Sequence, residues 1–160
     1  MSVDKVRSVH GIAQLSERMR AAGMRVTPQR QAIVRHLVGD RTHPTVEAVH
    51  AAVAAIMPTV SLKTVYQTVH DLESLGEVRL LDVGTGSVRV DPNVEHPHHH
   101  LVCARCGAVR DVTPSVVADV TAHDQRAFVI ETIEVVFRGH CATCAPQSPS
   151  TPSTRPTPIN

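Results

Sequence analysis

The chain has 160 residues, of which 42% are hydrophobic, 19% charged and only 2% aromatic, with a formal net charge of +1 at pH 7. That length holds one ordinary domain or two small ones, and with no Trp, one Tyr and two Phe the cores must be aliphatic, which excludes a large aromatic-packed sandwich. The near-zero charge hides a segregation: residues 1–36 carry Lys5, Arg7, Arg18, Arg20, Arg25, Arg30 and Arg35 against Asp4 and Glu17, a basic bias suited to an anionic partner.

The N-terminal stretch MSVDKVRSVHGIAQL has no continuous apolar run, and no segment approaches the length of a membrane span. A cytoplasmic protein with no membrane partner is expected. In a reducing compartment its four cysteines read as metal or redox chemistry before they read as two disulfides.

In chain order, Leu15, Met19 and Ala22 stand at helical spacing and end near Gly23. A second helix begins with Thr27 as N-cap and Pro28 in its first position, and buries Ile33, Val34, Leu37 and Val38. A third starts near Thr45, carries Val46, Val49, Val53 and Ile56, and stops before Pro58. Ser61 caps a fourth, whose apolar stripe is Leu62, Val65, Tyr66, Val69, Leu72 and Leu75 before Gly76; its other face carries Lys63, Thr64, Gln67, His70 and Asp71. Two strand-like runs, 77–81 and 87–90, flank the turn Gly84-Thr85-Gly86, and helices followed by a small hairpin suggest a winged helix-turn-helix.

From His100 the pattern turns strand-like at 100–103, 108–112 and 128–137, with a short helix near 115–120 between the second and third. The expected class is α+β: an N-terminal winged helix-turn-helix domain and a small C-terminal α/β domain with an antiparallel sheet. The boundaries are 1–83 for the DNA-binding unit, 84–97 for a hinge and metal loop, 98–144 for the sheet unit, and 145–160 for a Pro/Ser/Thr tail expected to be disordered.

Cys103-Ala-Arg-Cys106-Gly and Cys141-Ala-Thr-Cys144 form two Cys-x-x-Cys knuckles with 34 residues between them. Each pair directs two thiolates at one ion, and four thiolates close the tetrahedral shell of structural zinc; a redox dithiol is the competing reading. Between Asp91 and His100 lie four of the eleven histidines. In a strand His98 and His100 share a face and His99 takes the other, so His98 and His100, with Asp91 and with Asp111 from the next strand, offer a mixed nitrogen and oxygen site. Such donors suit Fe(II), Mn(II), Zn(II) or Ni(II). His96, His99 and Glu95 are weaker candidates for a further site. Taken alone, His43 before Pro44 reads as a residue at a helix start.

Arg25-Val-Thr-Pro-Gln-Arg30, His43-Pro-Thr, Thr64-Val-Tyr66, His98-His-His100-Leu-Val-Cys103-x-x-Cys106-Gly and Cys141-x-x-Cys144, occurring in that order, resemble the ferric uptake regulator (Fur) family over roughly residues 12–144. The resemblance implies a homodimer that binds a palindromic, A/T-rich operator in double-stranded DNA, with structural Zn(II) on the four cysteines. It also implies a regulatory Fe(II) or Mn(II) on His43, Asp91, His98, His100 and Asp111, bridging the two domains. Asp at both 91 and 111 resembles the peroxide-sensing branch, in which an iron-bound histidine is oxidised and the metal lost; His43 and His98 match those positions. Pro97 and His99 depart from the iron-sensor pattern, which leaves a third metal site without support.

Within this frame the fourth helix is the recognition element, with Ser61, Lys63, Thr64, Tyr66 and Gln67 at the end that enters the major groove. Gln67 has the bidentate amide that reads adenine, and relatives often place Arg there. Tyr66 fits either the core or DNA, and the resemblance favours DNA. Arg25 suits a narrow A/T-rich minor groove or phosphates. The function expected is a metal-dependent transcriptional repressor responding to iron and/or peroxide, with zinc, nickel or manganese sensing as the alternative in the same family. A metal hydrolase has no general base or pocket beyond the proposed ligands, so a non-enzyme is expected. A metal-buffering module that never binds DNA leaves the basic N-terminal region unexplained.

Overall fold

The computed structural model describes residues 11–94, 96–113, 128–130 and 133–145. Four helices come first: α1 (Ile12–Ala21), α2 (Pro28–Leu37), α3 (Val46–Ile56) and α4 (Leu62–Ser74). Their starts are fixed by side-chain caps, because Thr27, Thr45 and Ser61 each accept a hydrogen bond from the backbone N–H three residues on. Their ends are equally local. After α4, Gly76 takes φ +70, which lets its own N–H reach Glu73 O and that of Glu77 reach Leu72 O, closing the last turn. The apolar stripes meet in one core containing Leu15, Met19, Ile33, Leu37, Val49, Val53, Val65, Val69 and Leu72. At its rim Arg18 forms an ion pair with the buried Glu77, tying α1 to the end of α4.

The hairpin follows, with β1 (Arg79–Leu81) antiparallel to β2 (Arg89–Asp91) in the register Leu80↔Val90. The segment before α3 joins the free edge of β2, since Thr45 bridges Arg89 and the N–H of Val90 donates to Pro44 O at 2.9 Å. This pairing is what carries His43 to the hairpin, from nearly fifty residues away in sequence.

A three-stranded sheet completes the described chain, in the order β4 (Val109–Val112), β3 (His99–Cys103), β5 (Val136–Gly139). Leu81 and Val83, at the exit of the hairpin's first strand, pack with Val102 and Val109 and the partly buried Val136 into a second, smaller core.

The α+β class agrees with expectation, and two details differ from it. The sheet is mixed, because β5 runs parallel to β3 while β4 runs antiparallel. The strand expected over 128–137 is confined to 136–139: Phe128 and Val129 are exposed and pair with nothing described, whereas Val136 to Gly139 align with His100 to Cys103. Apolar content alone marked a run, but only the part with a partner strand becomes sheet. The helix near 115–120 and nearly all of the 145–160 tail lie outside the described residues.

Candidate functional site

The β3–β5 register sets Cys103 opposite Gly139, two residues before Cys141, so the second knuckle arrives beside the first. All four Sγ atoms lie within 4.8 Å of one another, with Cys106 and Cys141 at 3.7 Å, and none is in a disulfide. Thiolates bound to one zinc at about 2.3 Å stand about 3.8 Å apart along a tetrahedron edge, so the donor set fits that ion. Backbone N–H groups of Cys106 and Cys141 hold the Cys103 thiol well below its ordinary pKa, which favours the ligating thiolate; the Cys141 N–H lies 3.4 Å from Cys103 Sγ. Cys144, sharing hydrogen bonds with Cys106 and Cys141, is pushed up.

The second cluster draws on three parts of the chain. His43 comes from the loop before α3, Asp91 ends β2, and His98, His100 and Asp111 lie in or beside β3 and β4, where His100 pairs with Asp111. Donor atoms of His43, His98, His100 and Asp111 all fall within 4.8 Å of one another. Asp91 reaches the same point, with its carboxylate 3.5 Å from His43 Nε2, 3.1 Å from His98 Nε2 and 3.8 Å from His100 Nε2. The rings stand edge-on, with the His100 centroid 5.1 Å from that of His43 and 4.8 Å from that of His98.

This cluster is buried: His43 is 1% exposed, Asp91 0% and His100 2%. Yet His43 Nε2, His98 Nε2, both nitrogens of His100, Asp91 Oδ2 and Asp111 Oδ1 have no hydrogen-bond partner among the described residues. His43 Nε2 lies 2.8 Å from Asp111 Oδ1, a contact without hydrogen-bond geometry. Each orphaned buried group costs about 1–3 kcal/mol. Three imidazoles and two carboxylates, each with an unpartnered atom at one point, are the donor set a divalent cation satisfies, so the residues fit such an ion. Burial opposes charge on His43, but Asp91 and Asp111 outweigh it and raise its pKa, while His100 and His43 help hold Asp91 far below the usual carboxylate range against its own burial.

His98 is oriented for the task, because its Nδ1 sits 2.9 Å from His96 O and so points Nε2 at the cluster. His99, on the other face, accepts from the Val135 N–H through Nδ1 at 3.2 Å. Sequence reasoning missed Asn93, whose side chain donates to Asp111 Oδ2 at 2.7 Å and whose backbone N–H donates to Asp91 Oδ1 at 2.8 Å. The Asp91-Pro-Asn93 turn signal was the available clue. It also missed Glu134, 3.6 Å from His100 Nδ1, for which the sequence offers no periodicity to follow.

The proposed DNA-facing residues lie together around the start of α4. Ser61 is spent on the cap, its Oγ accepting from the Thr64 N–H at 3.1 Å. Lys63, Gln67 and Arg25 are exposed, and Arg25 and Thr64 line one open groove. Tyr66 is half-buried against the core with its hydroxyl donating to Glu47 at 2.7 Å, and Gln67 donates to Asp71 at 2.9 Å. Asp71 also pairs with Arg30 at 2.6 Å, which removes Arg30 from the free cations of this face.

A model of the ferric uptake regulator family matches residues 21–138. The chain is 37% identical over 111 residues to the peroxide-responsive repressor PerR of Staphylococcus aureus strain USA300, covering 69% of this chain and 74% of that one. Among solved structures it is similar to a zinc-bound manganese uptake regulator, with a TM-score of 0.63 and 27% identity over 79% of this chain and 98% of that one. The ferric uptake regulator Fur of Helicobacter pylori shares the fold at 17% identity, with a TM-score of 0.68 over 91% of this chain and all of that one. With the family model spanning residues 21–138, which include the whole histidine/aspartate cluster and the first cysteine pair, the chain belongs to the ferric uptake regulator family.

Proposed function

We propose that this protein is a metal-dependent, DNA-binding transcriptional repressor that responds to iron and/or peroxide. One observation carries the reading: His43, from the helical part of the chain, meets Asp91, His98, His100 and Asp111 in a buried cluster of orphaned donor atoms. In this reading Cys103, Cys106, Cys141 and Cys144 hold structural Zn(II), and the five-residue cluster holds Fe(II) or Mn(II). When His43 donates to the same ion as His98, His100 and Asp111, the helices are held at a fixed position relative to the sheet. Two such protomers then present their α4 helices at the spacing of successive half-sites, which couples metal binding to operator affinity.

Ser61, Lys63, Thr64, Tyr66 and Gln67 face an A/T-rich palindrome, with Arg25 at the flanking minor groove. For Tyr66 and Gln67 this requires exchanging Glu47 and Asp71 for DNA groups. Fe(II) held by His43, Asp91, His98, His100 and Asp111 would supply one-electron chemistry toward peroxide; in the net change one peroxide oxygen joins the ring of His43 or His98 and the other leaves as water. The 37% identity to a peroxide-responsive repressor supports that signal, and the likeness to a manganese uptake regulator supports the alternative of a plain metal sensor. The domain boundaries at 83, 97 and 144, a cytoplasmic setting and the absence of catalytic turnover belong to the same proposal; no helix among the described residues is long and apolar enough to cross a membrane.

The test is fluorescence anisotropy on an A/T-rich palindromic duplex with Mn(II) or with chelator, followed by mass spectrometry after anaerobic Fe(II) loading and peroxide. Metal-dependent binding that His98→Ala abolishes, and a gain of one oxygen on His43 or His98, are expected. Operator affinity indifferent to both metal and His98→Ala would defeat the repressor reading; repression that survives peroxide without added oxygen would leave the metal sensor.

A further inference from the structure

Arg89 sits between the two clusters and touches the surroundings of both. From β2 its NH1 donates to the His43 carbonyl oxygen at 2.9 Å, and its Nε donates to Thr85 Oγ1 at 3.4 Å. Its remaining nitrogen, NH2, packs on Gly107, the residue after Cys106: a Cβ placed there would come within 3.1 Å of it. Gly107 has φ +70, a left-handed conformation suited to glycine, and its N–H donates to Cys103 O at 2.9 Å, which closes the first knuckle.

At the other end of the same side chain, His43 has φ +52, the sole positive value outside glycine among the described residues. A strained backbone of this kind persists where its surroundings over-determine it. Here these are the Val90 N–H on Pro44 O and the Arg89 guanidinium on His43 O. A guanidinium is planar and rigid, so a shift of the knuckle at NH2 is passed to NH1 rather than absorbed, as it would be along a flexible ammonium. No carboxylate among the described residues competes for Arg89. A second arginine lining the same pocket also straps the two parts, with Arg138 of β5 donating to Val83 O at 2.7 Å beside Gly84.

We propose that Arg89 is a positioning residue that couples the four-cysteine cluster to the histidine/aspartate cluster, so that order in the zinc knuckle sets the conformation of His43 and hence affinity for the second ion. The proposal rests on the reading that both clusters hold metal. Coupling of binding free energies is reciprocal, so an ion on the histidine cluster must in turn protect the knuckle.

The experiment uses the full zinc-loaded chain with Mn(II) as probe. Mn(II) affinity is measured by competition with a fluorescent chelator, and the reactivity of the four thiols toward Ellman's reagent is followed with and without Mn(II). In the wild type Mn(II) slows thiol modification. Arg89→Met is expected to retain zinc, to bind Mn(II) about tenfold more weakly, within the usual range of coupling, and to lose the protection of its thiols by Mn(II). Arg89→Lys keeps the charge but not the fork, serves if Arg89→Met does not fold, and is expected to lose about threefold with partial protection. Wild-type Mn(II) affinity in either variant, or undiminished protection of the thiols, overturns the coupling. A wild-type protein that binds no Mn(II) beyond its zinc overturns the metal reading itself, and the wild-type titration alone reports that outcome.

Discussion

Asn93 holds two of the proposed metal ligands in place. It donates to the Asp111 oxygen pointing away from His43, leaving Oδ1 directed at the cluster, while its backbone N–H fixes Asp91. Partners of this kind are worth about 10–100-fold in metal affinity. Asn93→Ala is therefore expected to weaken Mn(II) binding by at least about tenfold with zinc content unchanged, as read by competition titration and elemental analysis. A conservative Asn93→Asp should do no better, because its carboxylate accepts where the amide donated and repels Asp111. His43 was opaque at this scale. From sequence it was one histidine before a proline, and the resemblance, not its spacing, assigned it to the cluster; its buried, positive-φ setting arises from pairing with β2 that no local pattern encodes.

At the scale of elements, the helices were legible because their signals are local. Thr27, Thr45 and Ser61 supplied caps, Pro28 and Gly76 marked a start and a stop, and each bond that realises them spans only a few residues. Thr27→Ala removes the acceptor for the Arg30 N–H, and an unfolding free energy lower by about 1 kcal/mol is expected from urea titration followed by helical circular dichroism. The strands were harder. β3 and β4 form a tight antiparallel pair, which the turn at Gly107 advertises, whereas β5 returns from more than thirty residues away to run parallel to β3. Its apolar neighbours at 128–130 look more strand-like than Val136-Phe137-Arg138-Gly139 does, and the choice between them is made by partners, not by composition.

For the molecule as a whole, the sheet leaves an apolar surface that the described residues do not cover. Leu101 and Phe137 are cross-strand neighbours, 44% and 39% exposed. A second copy of the sheet is the expected cover, since the proposed operator is palindromic and exposed apolar faces of this kind mark association. Phe137→Asp is expected to shift the zinc-loaded protein from dimer to monomer in light scattering and to lower operator affinity without disturbing Mn(II) binding. A dimer that persists would place the interface elsewhere.

Of the five donors in the histidine/aspartate cluster, Asp111 alone is more than marginally open to water, at 27% for its side chain, while the other four are sealed behind β2, β3 and the loop before α3. Among the described residues Asp111 is therefore the donor nearest to solvent, and it is the carboxylate Asn93 steadies. An ion that entered and left past Asp111 would do so only as that carboxylate opened, and the regulator's response time would then be a property of one surface side chain. A cell containing it would read a history of metal supply, averaged over the interval between openings, in place of the instantaneous concentration.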